Sequence, residues 1–191
     1  MKFSDFKSFR DYDRKIFKVY GLDENIKHGL KDPIYGILYI DRECGTTLRI
    51  VGDDNTKYED TMAVVRATAF NNAKFEKFDG DSFTKEVLEQ ISEVYYDEKL
   101  DELLSDKNLD EFRHETFPND VLAILPSEEQ AEKMWVRLIM KTKEKNLYVA
   151  ELLDDSYNNK NYTTGKKVAL VLYEKDDFKG LIINGLVQLA D

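Results

Sequence analysis

Few side chains in this 191-residue sequence have the type and spacing that catalysis requires. Only two histidines occur, His28 and His114, and a proline stands four residues after His114, where a helical zinc site needs a second histidine. The single cysteine, Cys44, excludes an internal disulfide and any multi-cysteine metal site. No glycine-rich phosphate loop or nucleophile elbow is present. We therefore expect no metal, no cofactor and no enzymatic activity.

Paired carboxylates are the remaining residues that could do chemistry. Asp53-Asp54, Asp154-Asp155 and Asp176-Asp177 each stand at a predicted turn. Two carboxyl groups that converge across a cleft can hydrolyse a bond if their pKa values are pushed apart. The sequence does not show whether any of these acids converge, so a carboxylate-based hydrolase stays an alternative.

Acidic residues are concentrated in the middle of the chain. The formal net charge is −10, and residues 79–132 contain 17 acidic but only 4 basic residues. Such a segment repels nucleic-acid phosphates and attracts basic protein surfaces. We therefore expect a basic protein partner and no direct binding of nucleic acid.

Seven residues are candidates for contact with that partner. Six are acids of the central segment, at positions typical of the exposed face of a helix, and the seventh is the only tryptophan, which could be an interface hot spot. They are Glu86, Glu89, Glu93, Asp97, Asp101, Glu102 and Trp135. A solvated acidic face and a partly buried core tryptophan are the alternative interpretations of the same residues.

Hydrophobic periodicity predicts helix, hairpin and helix in the N-terminal part of the chain. Aromatic and aliphatic residues at spacings of three and four predict a helix over residues 3–20. Two apolar runs, 34–40 and 46–51, flank a Gly-containing turn and predict a β-hairpin. Asp81 or Ser82 is expected to cap a second helix, whose apolar side begins at Phe83.

The last third of the sequence predicts strands. Period-two alternation over 134–141 and apolar runs at 147–153, 168–173 and 181–183 predict a small antiparallel sheet or partly open barrel. Pro118 and Pro126 bracket a short apolar stretch that we interpret as a connection. The expected class is α+β, with an α+β region over 1–115 and a β-rich domain over 116–191.

The sequence also predicts the localisation of the protein. No apolar run approaches the roughly 20 residues that span a bilayer. The first residues carry charges at every second or third position, which is unlike a secretory signal. We expect a cytoplasmic protein that does not bind membranes, and the sequence leaves its oligomeric state open.

Short motifs after His114 resemble those of a bacterial domain family of unknown function, the YegJ-like proteins. The matching residues are Thr116-Phe117-Pro118, Glu132-Lys133-Met134-Trp135-Val136, Gly165-Lys166-Lys167-Val168 and Asp176-Asp177-Phe178. The resemblance covers about the last 80 residues. It implies a small β-rich C-terminal domain and supplies no catalytic residues.

The sequence departs from the family pattern at three of these positions. Lys133 interrupts the usual acidic-His-Met-Trp run, Lys166 replaces the acidic partner of the glycine, and Phe178 stands where tryptophan is common.

These observations favour a non-enzymatic protein-binding module. An acidic inhibitor or immunity protein that neutralises a basic toxin or nuclease fits the charge and the lack of catalytic motifs best. A housekeeping scaffold or peptide-binding module that uses the Trp135 strand is the second hypothesis. The carboxylate-based hydrolase is the third.

Overall fold

The chain folds into two compact units. The computed structural model describes residues 1–27, 29–57, 63–70, 72–128 and 130–188. One unit comprises Met1–Tyr96 with Glu115–Phe117, and the other comprises Asp97–His114 with Pro118–Asp191. Both contain helices and strands, which confirms the α+β class. The break at residue 96 comes earlier in the chain than the break that the sequence predicts at residue 115.

The first unit is built on a five-stranded antiparallel sheet with strand order β4-β3-β2-β1-β5. Its strands are β1 (Lys15–Tyr20), β2 (Ile34–Asp41), β3 (Gly45–Gly52), β4 (Ala63–Arg66) and β5 (Lys74–Lys77). Its helices are α1 (Glu24–Lys27), α2 (Ala67–Phe70) and α3 (Ser82–Tyr95). The predicted hairpin is confirmed, because β2 and β3 pair from Asp41 and Gly45 onward.

Helix α3 begins where the sequence predicts it. The side chain of Asp81 accepts a hydrogen bond from the backbone N–H of Thr84 at 2.8 Å, which satisfies a free donor of the first turn. Val87 and Ile91 are buried against the sheet, in a cluster that also contains Ile37 and Tyr39 of β2. Burial of these side chains fixes which face of α3 points outward.

The helix predicted over residues 3–20 is wrong. Two 3₁₀ turns, Phe3–Asp5 and Phe9–Asp11, precede strand β1. The carboxylates of Asp5 and Asp11 accept backbone hydrogen bonds inside these turns, and such local bonds compete with helix formation. The aromatic side chains of this segment serve the core of the unit, since Phe3 and Phe6 join a cluster of rings on the sheet.

The second unit contains a closed five-stranded barrel with order β10-β6-β7-β8-β9. Its strands are β6 (Asp120–Leu125), β7 (Glu132–Lys141), β8 (Leu147–Leu152), β9 (Lys167–Lys175) and β10 (Phe178–Leu186). Before the barrel come α4 (Glu98–Ser105), which packs on β7, and a 3₁₀ turn, Lys107–Phe112. The four strands that the sequence predicts correspond to β7, β8, β9 and β10.

Two expectations for this region need correction. The apolar stretch between Pro118 and Pro126 is strand β6 rather than a connection. Val121, Ala123 and Leu125 of this strand point into the barrel core. Ile124 pairs in parallel with Ile182 of β10, which closes the barrel that we expected to be partly open.

Candidate functional site

Three of the candidate acids lie together on the outer face of α3. Glu86, Glu89 and Glu93 are exposed and follow one another at helical spacings of three and four. Among the described residues, no hydrogen bond or ion pair joins their carboxylates to another group. Val94 follows Glu93 in α3 and is 74% exposed. We call these four residues the α3 surface; it combines free negative charge with an apolar side chain.

The other three candidate acids belong to the second unit. Asp97 is the N-cap of α4, where its carboxylate accepts from the backbone N–H of Leu100 at 2.7 Å. Asp101 is half-buried, and Glu102 is exposed. The six acids are therefore distributed over two helices and two units, and at least Asp97 has a structural role of its own.

Trp135 lies on the outer side of the barrel. Its indole ring is half-buried and meets the ring of His114 edge to face, with the ring centroids 5.1 Å apart. Its strand β7 is hydrogen-bonded to β6 on one side and to β8 on the other. An added peptide strand therefore has no free edge on β7, and a ligand there can use only side-chain contacts.

A cleft in the first unit contains the other notable group of side chains. It lies at the amino end of α3 and has about 220 Å³ of free volume. Among the described residues, three aromatic side chains line it, Tyr35 of β2, Phe78 after β5 and Phe83 of α3. The rings of Tyr35 and Phe78 lie 5.0 Å apart at an angle of 37°. We call this the α3 cleft.

Three carboxylates and one lysine also line the α3 cleft within the part of the chain that the structure describes. Asp53, Asp54 and Asp81 come from two distant segments of the chain, and the amino group of Lys57 lies 2.9 Å from the carboxylate of Asp81. Asp54 accepts a 2.5 Å hydrogen bond from the hydroxyl of Tyr35. The sequence singles out these aspartates only as turn or cap residues, because nothing in it shows their convergence.

Hydrogen bonds keep this cleft negatively charged. The backbone N–H groups of Lys31, Asn55 and Thr56 hold the pKa of Asp53 below its usual value. A backbone hydrogen bond from Thr84 and the ion pair with Lys57 lower the pKa of Asp81 to about 2.

Tyr35 is held in its neutral form. Its hydrogen bond to Asp54, together with burial, raises the pKa of the hydroxyl to about 12. A carboxylate-based hydrolase needs an acid that stays protonated near neutral pH. The lowered pKa values of Asp53 and Asp81 go in the opposite direction, so the cleft is better suited to binding a cation than to acid catalysis.

Among the described residues, the remaining candidates for chemistry do not assemble a site. His28 lies outside the described residues, and His114 packs on Trp135. Cys44 is half-buried in the turn between β2 and β3. Within the part of the chain that the structure describes, no three His, Cys, Asp or Glu side chains come together in a way that could hold a metal ion.

Comparison with known proteins adds no information about function. No protein-family model, curated protein or solved structure matches this chain. The resemblance to YegJ-like proteins therefore stays a prediction based on its short motifs. None of the described helices is long and apolar enough to cross a membrane.

Proposed function

We propose that this chain is a non-enzymatic, cytoplasmic protein-binding module that neutralises a basic partner, as an acidic inhibitor or immunity protein does. The α3 surface is its primary contact. The observation that carries the proposal is that Glu86, Glu89 and Glu93 are exposed on one helical face without partners among the described residues.

The contrast with other acids of the chain supports this assignment. Asp81 caps a helix, Asp106 binds Lys141 and Tyr148, and Asp120 forms two hydrogen bonds with the guanidinium of Arg137. These carboxylates are already used by the fold. Those of the α3 surface are available for a second protein.

The charge and the apolar area of the α3 surface would contribute to partner binding in different ways. Three carboxylates on one face raise the association rate with a basic protein, an effect that falls as salt shortens the Debye length to about 8 Å at physiological ionic strength. The exposed side chain of Val94 supplies apolar area that becomes buried in the complex. A partner such as a toxin or nuclease, whose own site binds phosphate, has the matching positive charge.

Reversing the charge of the α3 surface tests the proposal. We would replace Glu86, Glu89 and Glu93 by lysine, which is also a good helix former and therefore should leave α3 folded. The tagged chain and this variant would be used for affinity purification from the native host, followed by mass spectrometry. We expect a basic protein to be retained by the wild type and lost by the variant.

A matched control separates local contact from overall charge. Glu43, Glu144 and Asp177 are exposed carboxylates outside α3, and their replacement by lysine changes the net charge by the same amount. This control should keep the partner. Retention of the partner by both variants would contradict the proposal, and its loss by both would show that only net charge matters.

The Trp135 side of the barrel is the second candidate surface. The observation that favours it is a half-buried tryptophan on the outside of a closed barrel, where side chains alone can make the contact. A scaffold or peptide-binding module of this kind would lose its partner on Trp135→Ala and keep it after reversal of the α3 surface.

A further inference from the structure

The α3 cleft contains the side-chain ammonium group of Lys57, which has two favourable contacts. The amino group of Lys57 lies 2.9 Å from the carboxylate of Asp81 and 5.3 Å from the centroid of the Phe83 ring. A cation held between a carboxylate and an aromatic face is favourable on both sides. The side chain of Lys57 is 58% exposed, so water and solutes reach this position.

One carboxylate of the cleft has capacity left for a ligand. Asp54 is exposed and accepts one hydrogen bond, from Tyr35, among the described residues. Among the described residues, three carboxylates and the Lys57 ammonium group line the cleft, and the Lys18 ammonium group lies 5.9 Å and 5.2 Å from the centroids of the Tyr35 and Phe78 rings, so a net charge of −1 remains. The lowered pKa values of Asp53 and Asp81 keep this charge at neutral pH.

We infer that the α3 cleft binds an organic cation, an alkylammonium or guanidinium group, between Asp54 and the aromatic side chains of Tyr35, Phe78 and Phe83. A guanidinium ion fits best, because it is planar, stacks on rings and can form paired hydrogen bonds with a carboxylate. Such a group is found on a basic side chain of another protein and on free small amines or guanidines. The inference does not depend on the α3 surface, since it rests on different side chains.

Binding of a simple probe tests this inference directly. Methylguanidinium chloride would be titrated into the full chain at constant ionic strength, and the ring resonances of Tyr35, Phe78 and Phe83 would be followed by NMR. We expect saturable shifts confined to these rings and their neighbours. Their absence, up to the highest probe concentration that does not lower the melting temperature, would overturn the inference.

Substitutions test whether the α3 cleft prefers a cation or an anion. Asp54→Asn removes the free carboxylate, and Phe83→Leu removes one aromatic wall while it keeps apolar volume. Each should weaken methylguanidinium binding by about three- to tenfold, the range expected for one charged or cation–π contact. Lys57→Gln removes the competing internal cation and should strengthen binding.

An anion site would respond in the opposite way. Inorganic phosphate would then shift the ring resonances of Tyr35, Phe78 and Phe83, and methylguanidinium would not. Whichever probe binds, its affinity would fall on loss of Lys57 and rise in Asp54→Asn. Any of these results would refute the assignment of a cation site.

A second probe identifies the source of the cation. A blocked tripeptide with arginine in the middle would be compared with methylguanidinium. Tighter binding of the peptide supports a protein side chain as the natural occupant, and equal or weaker binding supports a free small cation. If the cleft fails both probes while reversal of the α3 surface still abolishes partner capture, only the present inference is lost.

Discussion

Replacing Asp106 by asparagine should destabilise the second unit, because one buried carboxylate holds three elements together. Asp106 is 8% exposed and accepts hydrogen bonds from Lys141 of β7 and Tyr148 of β8, both at 2.8 Å. It also caps the 3₁₀ turn through the backbone N–H of Asn108 at 3.1 Å. Asparagine keeps the size and, with its oxygen on the cap, places an NH2 group where Oδ2 accepts from Lys141 and Tyr148, so it accepts from neither of them.

The size of the effect follows from the burial of those donors. Tyr148 is 1% exposed, and a buried hydroxyl without an acceptor costs about 1–3 kcal/mol. The side chain of Lys141 is 31% exposed and can turn toward water, so its loss adds little. We expect Asp106→Asn to lower the free energy of unfolding by about 2 kcal/mol at neutral pH.

The pH dependence of the unfolding free energy shows whether Asp106→Asn acts through the lost negative charge or through altered packing. Burial raises the pKa of Asp106, but the hydrogen bonds from Lys141 and Tyr148 outweigh burial and hold it below its usual value. The ionised carboxylate therefore stabilises the fold above the unfolded pKa of about 3.9, and this contribution is lost as pH falls through the lower folded pKa. Asparagine does not titrate, so the difference between wild type and variant should shrink in acid.

Urea denaturation, followed by circular dichroism from neutral to acidic pH, measures this difference. Tyr148→Phe is the matched control, since it removes one donor and leaves Asp106 bound to Lys141. It should lower the unfolding free energy by about 1 kcal/mol. The reasoning is refuted if Asp106→Asn is the milder change, or if its effect stays constant into acid.

Two further predictions concern one position in each unit. Gly45 has a φ of +71°, and an added Cβ would lie 2.4 Å from the carbonyl oxygen of Thr116 and 2.7 Å from the Phe117 ring. Gly45→Ala should therefore lower the unfolding free energy by about 2 kcal/mol or more in urea titrations, and a neutral result would contradict this packing. Trp135→Ala should cost about 2 kcal/mol, less than a fully buried tryptophan, because the ring is half-buried. Partner capture should survive this change if the α3 surface is the contact, and its loss in a folded variant would favour the barrel.

Local signals explain what the sequence predicts correctly. Asp81 before an amphipathic run predicts the start of α3, and the structure confirms the cap. The turn at Gly45 predicts the β2–β3 hairpin, and period-two alternation predicts β7. In each case the deciding interactions lie within a few residues of one another, so that neighbouring positions are sufficient for the prediction.

Tertiary context explains what the sequence does not predict. Lys15–Tyr20 has helical spacing but forms a strand between β2 and β5, where both neighbours supply backbone hydrogen bonds. Strand β6 is short and lies between two prolines, and its parallel pairing with β10 is a contact between distant segments. The α3 cleft likewise joins Tyr35, Asp54 and Phe83 from separate elements, and no local pattern marks such a convergence.

The distribution of engaged and unengaged carboxylates supports the binding role that we propose for the α3 surface. Acids that the fold already uses, such as Asp81 and Asp106, have pKa values lowered by their donors and cannot serve as proton donors near neutral pH. Glu86, Glu89 and Glu93 have no such donors among the described residues and, unlike Asp54 of the α3 cleft, they lie on the exposed face of a helix. A carboxylate in that position can attract a basic protein, but it has no enclosed space in which to act on a substrate.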